Sequence, residues 1–254
     1  MHFYNRDGSP LYEVPNKSGK GKHPTTLKDA KERDALWSYS TISDILKKPG
    51  VEWRIQEDLI EIAQEYPTLE SREIRQKGAI KGAKPRDFGT KIHDALEHYI
   101  KDNTRIPSEL EEVLGAAANY LEAEVSFGNG WYGYGGKIDL FFHAQKGDDS
   151  LLIIGDWKTQ KTKPGKGITF YDDWAMQLAS YAEGVEAVAT DIMCFNIGIS
   201  STEPGLVESR VWPVADIKKG FAKFEHLLVY NCLVSDYWPG AKYENYDVEV
   251  PIAL

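Results

Sequence analysis

The amino-acid sequence predicts an α/β fold, and three observations carry that expectation. Apolar residues fall at helical spacing through the first part of the chain, then change to strand-like runs at EVSFGNGWYGYGGKIDLFFH. From there three strand segments, a helix, two strands and a long helix follow in order. A hydrophobic content of 42% and an aromatic content of 12% over 254 residues give enough apolar surface for a real core.

Residues 1–35 are polar, with scattered Gly, Pro and Lys, and read as an irregular arm. Residues 41–65 read as two helices, with Ile42, Ile45 and Leu46 before a Pro49-Gly50 break and Ile55, Leu59, Ile62 and Ala63 after it. DFGTKIHDALEHYIK, from 87 to 101, reads as a helix with Phe88, Ile92, Ala95, Leu96 and Tyr99 on its apolar face. A further helix starts at Ser108, where Ser108 and Glu111 make a capping-box pattern ahead of Leu114, Ala117 and Leu121. EVSFGNGWYGYGGKIDLFFH then gives two strands around a glycine-rich turn, and LLIIGDWKT a third. DDWAMQLASYAEGVEAV is a helix, DIMCFNIGIS and LVESRVW are strands, and PVADIKKGFAKFEHLLVYNCLV is a long amphipathic helix with Pro213 near its start. The expected organisation is an N-terminal arm and helical cap over 1–86 and a core over 87–254, packed as one compact unit, with no internal repeat.

Composition narrows the function classes. No apolar run reaches the roughly 18 residues a bilayer-spanning helix needs. The opening stretch MHFYNRDGSPLYEV lacks the apolar core of a secretory signal. The two cysteines, Cys194 and Cys232, form neither a metal-spacing cluster nor a disulfide framework, so a reducing, cytoplasmic location without membrane association is expected. A net charge of −9 argues against a general polyanion binder, but the charge is uneven. Residues 71–91 carry seven Lys/Arg against two acids, and 158–166 four lysines and no acid. Lys81, Lys84, Arg86, Lys161 and Lys163 are therefore candidate nucleic-acid contacts; solvated surface lysines are the alternative for each patch.

Two aspartates and a lysine carry the chemistry. Asp139 in YGGKIDLFFH and Asp156 in LLIIGDWKTQ lie on apolar strand segments, where a charge is rare unless it has a partner. On neighbouring strands they make an oxygen-rich site for a hard divalent cation. Lys158, two residues after Asp156, shares its face, because strand side chains alternate with period two. It is placed to position or deprotonate an attacking water, or to neutralise charge building on a phosphate. The Trp157 carbonyl, pointing opposite to its neighbours', adds a further candidate ligand. His93 would complete a mixed nitrogen–oxygen shell if its helix lies beside the aspartates; alone it reads as a boundary histidine. Gln177 and Tyr181, at i and i+4, either hold a phosphate or orient Lys158, or belong to an ordinary helix whose Tyr181 packs in the core. Trp37, Tyr39, Trp131, Tyr132 and Tyr134 are either base-stacking or core residues.

These motifs, G-T-x-x-H-x-x-L-E, G-G-K-I-D, G-D-W-K-T and Q-x-x-x-Y in that order, resemble the PD-(D/E)XK nuclease superfamily, nearest its RecB-nuclease branch. The spacing is similar to phage exonucleases of that branch and to the mitochondrial genome maintenance exonuclease, and YSTISDILKKPGVEW is similar to their N-terminal helical element. The resemblance spans about residues 37–235. It implies a restriction-endonuclease-like core, a mixed sheet flanked by helices, and a Mg²⁺-dependent deoxyribonuclease with Mn²⁺ as substitute. It further implies His93, Asp139, Asp156 and the Trp157 carbonyl as metal ligands, Lys158 as the catalytic lysine, and Gln177 and Tyr181 as the Q-x-x-x-Y pair. Relatives with an iron–sulfur cluster use four cysteines; with two, none is expected here. The sequence has no P-loop, so unwinding would fall to a separate helicase, and a recombinase or single-strand-binding protein is another expected partner. The expected function is a DNA exonuclease preferring single-stranded ends in replication, recombination or repair, on a chain of phage type acting in host cytoplasm. Alternatives are a structure-selective endonuclease, a catalytically silent DNA-binding module, and a Mg²⁺-dependent enzyme acting on a small phosphate ester.

Overall fold

A computed structural model describes residues 1–46, 64–65, 88–101, 117–146, 149–185 and 191–244. It is an α/β structure built on a seven-stranded mixed sheet with helices on its faces. In chain order the elements are β1 (Phe3–Tyr4), β2 (Glu13–Pro15), β3 (Lys22–Pro24), α1 (Leu27–Glu32), β4 (Leu36–Ser38), α2 (39–46) and α3 (88–101). Then come β5 (Ala117–Asn129), β6 (Tyr134–Lys146), β7 (Asp149–Gln160), α4 (Asp172–Gly184), β8 (Asp191–Ser200), β9 (Val207–Trp212) and α5 (Val214–Ser235).

The sheet runs β1-β4-β6-β7-β8-β9, with β5 pairing along β6. β4 is parallel to β6 and β7 is parallel to β8, while the other pairs are antiparallel. One edge of β6 is covered by β5 over its length. On the other edge β4 pairs with Tyr134 and Gly135, and β7 takes over only at Leu140. β7 itself continues beside β8 as far as Gln160. The sheet therefore forks after the Leu140–Gly155 pair, and the next residues, Asp139 and Asp156, stand on its two arms.

The apolar runs of β7 and β8 feed both faces. Leu152 and Ile154 pack with α4 and α5, whereas Leu151 and Ile153 pack with Leu140, Phe142, Phe195 and Ile100 of α3. The stripe Gly220, Phe224, Leu228 and Cys232 buries one side of α5 at helical spacing. At Gly220 a side chain would meet the α4 backbone at 3.0 Å, so glycine sets the approach of the two helices. At the end of α4 a Cβ on Gly184 would lie 2.1 Å from the Phe127 ring. Gly184→Ala is expected to cost about 1–3 kcal/mol by overpacking; urea denaturation checks this, and wild-type stability would show that Phe127 gives way.

Three expectations from the sequence are corrected. Residues 1–35 are not an irregular arm: β1 joins the main sheet beside β4, β2 and β3 form a hairpin, and α1 starts with a Thr26–Asp29 capping box. Strands of two and three residues are too short to display a period. The helix expected from Ser108 does not extend through Ala117 and Leu121, because β5 pairs there with β6 from Ala117–Gln145 onward. Long-range pairing overrides local apolar spacing; residues 102–116 lie outside the described set. On α3 the buried side is turned from the expected one: Tyr99 is 54% exposed and Ile100 6%, and Ala95 is exposed while Ile92, His93, Leu96 and Glu97 turn inward. The second helix of 41–65 and the 86/87 boundary also fall outside the described residues, apart from helical 64–65. No described helix is long and apolar enough to cross a membrane.

Candidate active site

The site is the fork in the sheet. Asp139 closes it from β6: its Oδ2 accepts the Trp157 N–H at 3.0 Å. The N–H and C=O of one strand residue leave on the same edge, so the Trp157 carbonyl also faces this side. Asp156, on β7, is 2% exposed, and its carboxylate receives Lys158 Nζ at 2.8 Å on Oδ1 and 2.7 Å on Oδ2. The period-two placement of Asp156 and Lys158 on one face therefore holds.

Lys158 is held a second time, from the helix. Gln177 on α4 accepts from Nζ at 2.8 Å through Oε1, and its own amide donates to the Tyr181 hydroxyl at 2.6 Å. Tyr181 is 5% exposed and packs edge-on against Tyr39 and Phe127. Tyr181 thus packs in the core and at the same time anchors the glutamine that holds Lys158. Burial, and next the Asp156 and Asp139 charges, hold the Tyr181 hydroxyl protonated far above its usual range.

A second group lies on the β6 side. His93 Nδ1, from α3, is 3.5 Å from Asp139 Oδ2 and 3.8 Å from Glu124 Oε1. One ligand atom from each of His93, Glu124 and Asp139 fits within 4.8 Å of the others, and Lys137 pairs with the free side of Glu124. A cleft of about 400 Å³ opens over these residues between α3 and the β5–β6 ladder. One imidazole and two carboxylates suit a hard or borderline divalent cation such as Mg²⁺ or Mn²⁺.

Glu124 is the member of this group that the sequence reading missed. It stands opposite Asp139 between the pairs Ala123–Leu140 and Val125–Ile138, with φ of 60°. That left-handed residue breaks the strand alternation. Ile138 and Leu140, two apart on β6, pack into cores on opposite faces of the sheet, as do Val125 and Ala123 beside them. An L-residue there costs about 1–2 kcal/mol. The signal in sequence was the E-x-E of LEAEV opposite G-K-I-D, hidden by the assignment of Leu121 to a helix.

Asn196 was also missed. It lies beside Asp156 on β8, fully buried, donating to Asp156 Oδ2 at 2.8 Å and accepting the Trp212 indole N–H at 2.7 Å. Asn196→Ala leaves that indole unpaired and frees the carboxylate to turn. The expected result is a loss of about 1–3 kcal/mol of stability. Urea denaturation checks this, and wild-type stability would show that the indole and the carboxylate find other partners.

Asp156 lies outside the three-ligand group, with its oxygens turned to Lys158 and Asn196. Burial pushes its pKa up to about 7, against the pull of Lys158 and with a further push from Asp139. Lys161 and Lys163 are exposed on the loop after β7 and join none of these contacts. Lys81, Lys84 and Arg86 lie outside the described residues. Of the candidate stacking aromatics, Trp37, Tyr39 and Tyr134 are core, Tyr132 is half-buried, and Trp131 is 53% exposed.

No known family model and no curated protein matches the chain. Among solved structures, that of SSO0001 is similar at 17% identity over 78% of this chain and 89% of that one, with a TM-score of 0.31. A likeness at that level carries no argument about fold family or function.

Proposed function

We propose that the chain is a Mg²⁺- or Mn²⁺-dependent deoxyribonuclease of the PD-(D/E)XK type, hydrolysing phosphodiester bonds from DNA ends with a preference for single strands. The observation that carries this reading is the fork: two aspartates on its two arms, with Lys158 clamped between Asp156 and Gln177, and a His93–Glu124–Asp139 group suited to a cation on the Asp139 side. Binding alone has no need of a buried carboxylate and a twice-held ammonium.

The donor set fits a divalent cation held by His93, Glu124 and Asp139, with Asp156 and the Trp157 carbonyl offering further oxygens across the fork. Such an ion supplies Lewis-acid polarisation of a phosphoryl oxygen and lowers the pKa of bound water. The chain's own residues do the rest. Lys158 donates to a non-bridging phosphate oxygen as negative charge grows there, held in place so that little reorganisation is needed. Gln177, fixed by Tyr181, keeps Nζ aimed. Asn196 keeps Asp156 turned toward Lys158.

The test uses end-labelled linear and circular single-stranded DNA with Mg²⁺, beside an EDTA control. Linear DNA shortened with circles intact is the expected result. Nicked circles would assign an endonuclease. Binding in EDTA without cleavage in Mg²⁺ or Mn²⁺ would assign a silent binding module.

A further inference from the structure

We propose that the cleft between α2 and α4 is a nucleobase subsite and that Asp173 reads the base in it; this rests on the nuclease reading above. Two clefts meet at Lys158 and Gln177. One, of about 230 Å³, is lined by Ser38, Ser40, Gly136 and Lys137. The other, of about 210 Å³, is lined by Leu46, Asp173, Trp174 and Met176, and Tyr39 and Ser43 border both. A nucleotide has the same two halves, an anionic phosphate and a flat heteroaromatic ring. With its phosphate at Lys158, the hydroxyl- and lysine-lined cleft continues the backbone, and the aromatic, thioether-lined cleft takes the base.

The wall of the second cleft suits a ring. Tyr39 and Trp174 are 7% and 9% exposed and Met176 1%, so they are held by the core and present fixed surfaces. They form an apolar floor, and Leu46, 53% exposed on the same lining, has free surface to pack against a flat ring. The discriminating group is Asp173, exposed in the first turn of α4. A carboxylate beside a phosphate-binding lysine repels DNA backbone, so its place there is explained by a neutral group rich in donors. A carboxylate only accepts. Guanine offers an adjacent ring N–H and amino group, adenine and cytosine each an amino group, and thymine a single N–H between two carbonyls that a carboxylate repels. The expected order is guanine first and thymine last. Helix-dipole stabilisation is the competing role for Asp173, but Asp172 already occupies that turn.

The experiment partially digests randomised single-stranded DNA with the full chain and Mg²⁺, then sequences the products. Thymine should be depleted about tenfold relative to guanine, the lower end of the effect of one unsatisfied polar group, as suits an exposed carboxylate, at one position adjacent to the cut. Asp173→Asn should flatten that preference. A wild-type profile without base preference, or an Asp173→Asn profile identical to wild type, overturns the proposal. Lower thermal stability as the sole effect of Asp173→Asn leaves the helix-dipole role and also overturns it. Mononucleotide binding gives a readout independent of turnover: dGMP should raise the melting temperature more than dTMP, and Asp173→Asn should remove the difference. Absent cleavage with that difference intact would sink the nuclease reading and keep the base subsite; equal shifts with cleavage intact would do the reverse.

Discussion

On the proposed nuclease function, Lys158→Ala is expected to lower DNA cleavage by about two to three orders of magnitude, the scale on which single preorganised donors act on a developing oxyanion, and to leave DNA binding in EDTA near the wild-type level. The ammonium is within hydrogen-bond distance of both Asp156 oxygens and of Gln177, so alanine removes one group that three acceptors have fixed. The expected loss lies in the chemical step: kcat should fall while KM for DNA changes little. Asp156 then loses a cationic partner in a buried place, so the variant is also less stable, more so at pH 8 than at pH 6, where the carboxyl more readily takes up a proton. Circular dichroism at the assay temperature separates a folded, inactive enzyme from an unfolded one. Turnover within tenfold of wild type, in a folded protein, would remove Lys158 from the mechanism.

Asp156→Asn separates chemistry from stability. Burial raises the native pKa of Asp156 to about 7, from an ordinary value of about 3.9. Between those values the native state binds more protons than the unfolded state, so this group's contribution to stability falls as pH rises from about 4 to about 7 and stays low above that. Asparagine does not titrate. In EDTA the variant is therefore expected to gain on wild type between pH 5 and pH 8, while the metal-dependent cleavage proposed for wild type should be lost. A divalent cation acts against that trend, since it favours the ionised carboxylate, and Mn²⁺ should stabilise wild type at pH 8 more than it stabilises the variant. Urea denaturation across that pH range, with EDTA and then with Mn²⁺, checks both parts. A wild-type-to-variant gap independent of pH would contradict the origin assigned to the shift.

The parts of the site legible in the sequence share one property: their geometry follows from local periodicity. Asp156 and Lys158 share a face because β7 keeps its alternation, and Gln177 and Tyr181 stack because α4 is regular. The missed residues depend on pairing between segments distant in the chain. Glu124, expected as the first residue of a strand, faces Asp139 because β5 pairs antiparallel with β6 there and turns left-handed at that residue. Asn196 reads as one polar residue in an apolar strand until β8 is known to lie beside β7. The fold class was legible in the β5–β9 region, where segments are long. The short strands of the first 38 residues carried no pattern, and their place in the sheet is fixed by burial of Phe3, Leu36 and Trp37.

The parallel pairing of β4 with β6 also sets an order of assembly. Trp37 meets Tyr134, and all the chain between them is made before they can join. During synthesis the segment carrying Ser38, Tyr39 and Ser40 emerges early and waits, its apolar residues uncovered, until β6 and the helices behind it exist. Closing so long a loop adds entropy cost to each contact it brings, and topologies of this kind fold slowly. A nascent chain halted before Tyr134 would display the β6-facing edge of β4, with Leu36 and Trp37, unpaired, which opens this stretch to chaperones or to aggregation before the cleft at the fork has a wall.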